Sequence, residues 1–232
     1  MQVSAYFKNS SHRFYGAVTA LVMLSLYEIF IMWEASAGLM VRNAPEAWLR
    51  NILNFLGVSH YHISFIMLTA ALVAMPVFYD SKVRFNGKTI LLMILESIMW
   101  GAFSGFLIRL VMINLLFAAG TISGSLIGDL GLAIGAGLFE ELLFRVILTT
   151  LLIKVTLKTI RVKWLAILIS ILVASFLFSL AHYVGNAADT LELYSFLFRF
   201  LAGIWFTTLY AIRGFAIVCM SHAFYDIMVI LL

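Results

Sequence analysis

Residues 126–153 read LIGDLGLAIGAGLFEELLFRVILTTLLI, an apolar run that carries Glu140 and Glu141 side by side and Arg145 one helical turn further on. About 20 predominantly apolar residues cross the hydrocarbon core as a helix, so the run is long enough to be a membrane span. An ionised side chain at the centre of a span costs roughly 2.5 to 3.5 kcal/mol even on lenient insertion scales, which makes function the default reading of such residues. Glu141 and Arg145 stand at i, i+4 with the acid first, the order that favours a pair on one helix face. In an α-helix Glu140 points about 100° away from its neighbour and meets Phe144 at i+4, which leaves it the free carboxylate. A free buried carboxylate suits the work of a proton-transferring base; the alternative is a buried Glu–Arg lock between helices.

The rest of the chain agrees with a membrane setting. Of 232 residues 64% are hydrophobic and 11% charged, and the mean hydropathy is +1.07, far outside the soluble globular range. The formal charge of +4 lies mostly in short basic connections, so it speaks of orientation and lipid head groups and gives no nucleic-acid footprint. One cysteine, Cys219, leaves no intramolecular disulfide to form and reads as a small core residue. Lys8 and Arg13 before an apolar stretch ending in Ala35-Ser36-Ala37 imitate a cleaved signal peptide, but Tyr15 to Trp33 has the length of a spanning helix.

Spans are expected near residues 14–37, 61–79, 89–119, 126–153, 164–184, 191–212 and 215–232. The expected fold is therefore all-α, a polytopic transmembrane helix bundle of about seven spans and one domain over residues 1–232. The third and fourth spans exceed the ~20 residues needed and must tilt, break or extend into the interface. Lys8 and Arg13, then Lys82, Arg84 and Lys88, then Lys154, Lys158, Arg161 and Lys163 share one face, which places the N-terminus in the cytoplasm and the chain in the cell membrane. Between the first two spans, Pro45, Trp48, Leu49, Ile52, Leu53 and Leu56 give one apolar face and Gly57 a stop, the pattern of a short interfacial helix. Either a plain lid or a substrate-admitting element fits that helix. Glycines at four-residue spacing, Gly101 with Gly105, Gly120 with Gly124 and Gly128, and Gly131 with Gly135, predict close helix approach.

Two later spans also carry ionisable groups: His182 one turn after Phe178, and His222 one turn before Asp226. His222 and Asp226 share a helix face, so the carboxylate is placed to fix the imidazole's tautomer. Glu-Glu-x-x-x-Arg, Phe-x-x-x-His and His-x-x-x-Asn/Asp, in that order on three membrane helices, resemble the signature of the CAAX protease and bacteriocin-processing family, the Abi or CPBP intramembrane proteases. The resemblance covers residues 126–232 and is carried by Glu140, Glu141, Arg145, Phe178, His182, His222 and Asp226. It implies a glutamate-dependent endopeptidase without cofactor, in which Glu140 and His182 activate a water while His222 and Asp226 hold or polarise the carbonyl. Prenyl-protein proteases of that family have Asn where this chain has Asp226, and an ionised Asp lacks the amide donor. The implied partners are a peptide or protein substrate at the membrane and the lipid bilayer itself.

Two histidines and a carboxylate are also plausible Zn ligands, but His-Glu-x-x-His is absent and the candidates come from three spans, so no metal is expected. Depth raises a geometric question. At ~1.5 Å per residue His182 lies ~27 Å from Trp164 but His222 only ~12 Å from Gly214, although one site needs them level. Either the fifth helix begins beyond the membrane boundary or the last hairpin turns inside the bilayer. Glu28, Glu34, Glu96, Arg109 and Asp129 are expected to pair between helices or snorkel, Glu96 with Arg109 for example. Rival readings from other classes are a transporter lined by these polar residues and a non-catalytic scaffold or immunity protein.

Overall fold

The computed structural model describes residues 3–36, 38, 42–81, 83, 85–111, 125–185 and 188–231. Their regular elements are helices: α1 (Val3–Ser10), α2 (Arg13–Ser36), α3 (Ala44–Phe55), α4 (His60–Phe78), α5 (Gly87–Val111), α6 (Leu126–Gly135), π1 (Ala136–Thr149), α7 (Thr150–Thr159), α8 (Lys163–Ala181), α9 (Leu193–Arg213) and α10 (Phe215–Leu231). Among them α2, α4, α5, α8 and α9 are long and apolar enough to cross a membrane. The two other expected spans form the unbroken rod α6–π1–α7, in segments of 10, 14 and 10 residues, and the 17-residue α10. Many large apolar side chains on the outer helix faces are exposed, and on α4 Ile63 alone is buried. A lipid-facing surface is built this way, because hydrocarbon places no cost on exposed apolar groups.

The short α10 is the axis of the bundle. Cys219 and Ala223 pack with Tyr27 and Ile31 of α2 and with Leu138 and Phe139 of π1. On its other sides Val218 and Tyr225 meet Ile108 of α5 and Phe206 of α9, while Ala216 and Ile217 meet Phe14, Tyr15 and Met93. Glycines allow these approaches: a Cβ on Gly137 would stand 2.4 Å from the Cys219 carbonyl oxygen, and one on Gly101 3.1 Å from that of Ser221. Gly120 and Gly124 of the expected glycine ridge lie outside the described residues, as do Lys82 and Arg84 of the basic face.

The fourth span differs from an α-helix over Ala136–Thr149, where the backbone takes the wider i→i+5 winding and Thr149 Oγ1 donates to the Phe144 carbonyl at 2.6 Å. More residues per turn means less rotation per residue, so Glu140 and Glu141 diverge by less than the α-helical angle. A short helix, α3, stands between the first two spans where an interfacial one was expected, and an additional short helix, α1, precedes the first span.

The depth mismatch resolves from both ends. Thr156 of α7 bonds the Ala166 carbonyl at 3.2 Å and Ser170 Oγ at 2.8 Å, so the start of α8 pairs with α7, which buries no residue, before the chain reaches the core. At the other end α5 and α10 run parallel, with Ser97 Oγ donating to the Ile217 carbonyl at 3.4 Å. Ser97 is ten residues into α5 and Ile217 only two into α10, which sets the α9–α10 turn ~12 Å further in than the start of α5. That turn is the single residue Gly214, whose φ of +80° suits glycine and strains a side-chain-bearing residue.

Candidate active site

Glu140 and Glu141 reach opposite partners. Glu141 is fully buried, and its Oε1 accepts from His222 Nδ1 at 2.7 Å and lies 3.2 Å from Arg145 Nη1. The guanidinium makes no hydrogen bond among the described residues, although it is buried; it lies over the Phe178 ring at 4.4 Å and 6.0 Å from that of Phe206. A cation there is held by one carboxylate and two aromatic faces. Glu140 turns the other way, and its Oε1 accepts from Asn43 Nδ2 at 3.2 Å. It is buried and has no cation within ion-pair distance among the described residues.

His222 was expected to be oriented by Asp226, which stands at ion-pair distance on the same helix face, but the direct hydrogen bond comes from Glu141. The Asp226 carboxylate is 3.6 Å from Nε2, too long for a hydrogen bond, whereas the Glu141 contact is short and direct. The reason is tertiary: the close approach of π1 and α10 over Gly137 brings Glu141 to the imidazole from across the interface. The ring is also stacked on Phe206 at 4.5 Å. Nδ1 donates to Glu141, and Nε2 faces the Asp226 carboxylate at 3.6 Å.

His182 ends α8 and is half-buried. Its Nδ1 bonds the Phe178 carbonyl at 3.0 Å; a carbonyl only accepts, so the proton is on Nδ1 and Nε2 carries the lone pair. His182 and Glu140 share no direct hydrogen bond. The histidine joins the other groups through Phe178, whose ring lies 5.1 Å from those of both His182 and Phe144 and carries Arg145 on its face. Glu141, Arg145, His222 and Asp226 are thus linked through their charged groups, and His182 reaches Arg145 through Phe178, with Phe206 contributed by α9, while the hydrogen bond of Glu140 goes to Asn43.

Sequence reasoning did not find Asn43. It precedes Ala44-Pro45 at the start of α3, where an Asn reads as an ordinary helix cap, and that reading conceals its role. The structure also gathers charges that the sequence left scattered. Glu28 lies 2.9 Å from Arg50 Nη2, Glu46 takes Arg42 at 2.8 Å and also Arg50, and Tyr27 donates to Glu46 at 3.1 Å. This network ties α3 to α2 beside Glu140. Glu96 pairs with Arg213, whose Nη2 is 2.7 Å from Glu96 Oε2; the side chain of Arg109, its expected partner, lies outside the described residues. Glu34 accepts from Ser125. Among the described residues no three His, Cys, Asp or Glu side chains are arranged to hold a metal ion.

Residues 123–228 match the family model of the type II CAAX prenyl endopeptidases, Rce1-like. All six candidate residues fall within the match. No curated protein and no solved structure matches the chain. The chain is a multi-pass membrane protein, and what it is similar to over residues 123–228 is this family of CAAX-type membrane proteases.

Proposed function

From that similarity we propose that the chain is a metal-free glutamate endopeptidase, which cleaves a peptide or protein substrate held at the membrane by means of a water activated by Glu140. The observation that carries the reading is the division of labour between the adjacent carboxylates. Glu141 faces Arg145 and His222, while Glu140 has the neutral Asn43 amide as its hydrogen-bond partner. A base must keep a lone pair available for the proton it takes, and Glu140 meets that requirement better than its neighbour.

In this mechanism Glu140 removes a proton from water as the oxygen attacks the scissile carbonyl carbon. His182, with its lone pair on Nε2, helps to orient that water. His222, gripped at Nδ1 by Glu141 and stacked on Phe206, acts in its imidazolium form, with a proton on each ring nitrogen, and presents Nε2–H toward the carbonyl oxygen; its rigid placement is what makes a donor effective as charge develops. The proton on Glu140 then passes to the leaving amine. Arg145 acts through Glu141 and touches no reacting atom. The alternation of basic connections supports a cytoplasmic N-terminus in the cell membrane.

The test uses purified protein in detergent with internally quenched peptides ending in a CAAX sequence, with and without a farnesyl group. Glu140→Gln keeps the shape and removes the proton acceptor, so kcat should fall about 10²- to 10⁴-fold. Near-normal cleavage by that variant would sink the mechanism. Comparing membrane proteomes of cells that carry the natural chain or Glu140→Gln would then identify the natural substrate.

A further inference from the structure

We infer that Asn43 is a positioning residue for Glu140, carried to the site by the first turn of α3. The inference rests on the proposed role of Glu140 and extends the site into the N-terminal half of the chain, outside the matched residues 123–228.

Three observations point the same way. Asn43 is the N-cap residue of α3, yet its side chain makes no capping bond. An Asn at that position ordinarily turns its oxygen onto the N–H groups of the first turn, a bond whose loss costs about 1 kcal/mol. Here the amide is directed at a carboxylate 97 residues away, Nδ2 to Glu140 Oε1 at 3.2 Å. Secondly, the amide is half used. Asn43 is 8% exposed, and its Oδ1 is buried with no hydrogen-bond partner among the described residues. A polar group kept only for packing is normally satisfied at both atoms, because an orphaned buried acceptor costs about 1 to 3 kcal/mol. Thirdly, the backbone on either side is anchored. The Asn43 N–H donates to Tyr27 Oη at 3.4 Å, and Glu46 and Arg50, within the next two turns, are fixed by Tyr27, Arg42 and Glu28. The far side of α3 reaches the segment after His182, where Trp48 Nε1 would lie 3.9 Å from a Cβ on Gly185. Helix α3 therefore touches the neighbourhood of both expected water-activating residues, and its ion pairs hold the Asn43 amide in register with Glu140.

A neutral N–H donor on one carboxylate oxygen fixes the rotation of the carboxylate and leaves the second oxygen for the water. Misplacing a catalytic group by about 1 Å is enough to lose ~10²-fold in rate. The chemical requirement at position 43 is a donor of suitable length, and size alone does not meet it.

The experiment compares Asn43→Gln, Asn43→Ala and Asn43→Asp with the natural chain and with Glu140→Gln, in detergent on the farnesylated quenched peptide. It reads kcat, KM and melting temperature. The expected order of kcat is natural, Gln, Ala, Asp. Asn43→Asp should fall about 10- to 100-fold or more with KM within about twofold. Asp is nearly isosteric but sets a second buried carboxylate against Glu140, a repulsion that also costs stability, so the melting temperature is read beside kcat, and the Gln variant, which keeps the N–H donor, should exceed the Ala variant in kcat even where it melts no higher. A packing or capping role gives the reverse, with Asp the mildest change and activity following the melting temperature, and that result overturns the inference. Unchanged kcat in Asn43→Asp overturns it as well. If Glu140→Gln itself retains activity, or the natural chain cleaves neither peptide, the mechanism of Glu140 falls and takes the inference with it. Loss in Glu140→Gln with no effect at Asn43 removes the inference alone.

Discussion

Among the described residues Arg145 is the largest fully buried side chain, and none of its guanidinium nitrogens has a hydrogen-bond partner. Its stability depends on Glu141 at 3.2 Å and on the aromatic faces of Phe178 and Phe206. Removing one partner of a buried pair typically costs about 3 to 5 kcal/mol, because the other charge is left uncompensated. Arg145→Met is therefore expected to lower the detergent melting temperature together with activity. Complete loss of activity at an unchanged melting temperature would assign the arginine to the chemistry. Arg145→Lys should rescue little, since an ammonium cannot spread over two rings as a planar guanidinium does. The same logic separates the two glutamates: a Gln at 141 uncouples both Arg145 and His222, whereas a Gln at 140 disturbs one neutral hydrogen bond. Glu141→Gln should cost fold stability and Glu140→Gln should leave it nearly intact, as thermal melts of the two variants will show.

At the scale of elements, the site depends on how closely π1 and α10 pack. A methyl on Gly137 would meet the Cys219 carbonyl oxygen at 2.4 Å and the Ala223 backbone nitrogen at 2.9 Å, and backbone atoms cannot rotate aside. Gly137→Ala is expected to destabilise by about 1 to 3 kcal/mol and to lower activity, because the shift that relieves the clash also parts Glu141 from His222. Gly105→Ala is the control: its nearest neighbour is a Tyr225 ring carbon at 3.7 Å, an ordinary contact, so stability and activity should be unchanged within error. Equal effects at both positions would show that helix approach at Gly137 is not what aligns the site.

For the molecule as a whole, α1 closes the basic end of the bundle. Because the α9–α10 turn lies ~12 Å inside the start of α5, a gap is left there, and α1 fills it. Arg213 at that turn binds Ser10 Oγ at 2.9 Å and Ser11 Oγ at 3.2 Å, lies 4.4 Å from the centre of the Phe7 ring, and pairs with Glu96, which also receives the Tyr6 hydroxyl. Burial, and then the Glu96 hydrogen bond, push the Tyr6 hydroxyl above its ordinary value, so it remains a donor. A chain beginning at Arg13 should melt lower than the full chain; an identical melt would show that α1 does not contribute to the fold. Catalysis by the whole protein should survive exhaustive chelation, with no stoichiometric Zn on metal analysis. Loss of activity restored by Zn would make His182 and His222 ligands and Glu140 the base for a metal-bound water.

The sequence by itself determined the membrane setting, the positions of the apolar helices, the short helix α3 and the residues of the three motifs. These are local quantities: a span is legible from ~20 apolar residues, and a charge within one is conspicuous because its burial is costly. The i, i+4 proximity of Glu141 and Arg145 was legible for the same reason. Tertiary structure decided the partners. His222 belongs to Glu141 because Gly137 lets two helices touch, Glu96 belongs to Arg213 across 117 residues of chain, and Asn43 is drawn from its cap to Glu140 across 97. The winding of π1 was hidden as well, since apolar residues with good helix propensity suit both ladders and leave the choice to packing. Contacts of that kind follow from how helices are laid against one another in three dimensions, for which a linear pattern holds no periodic signal.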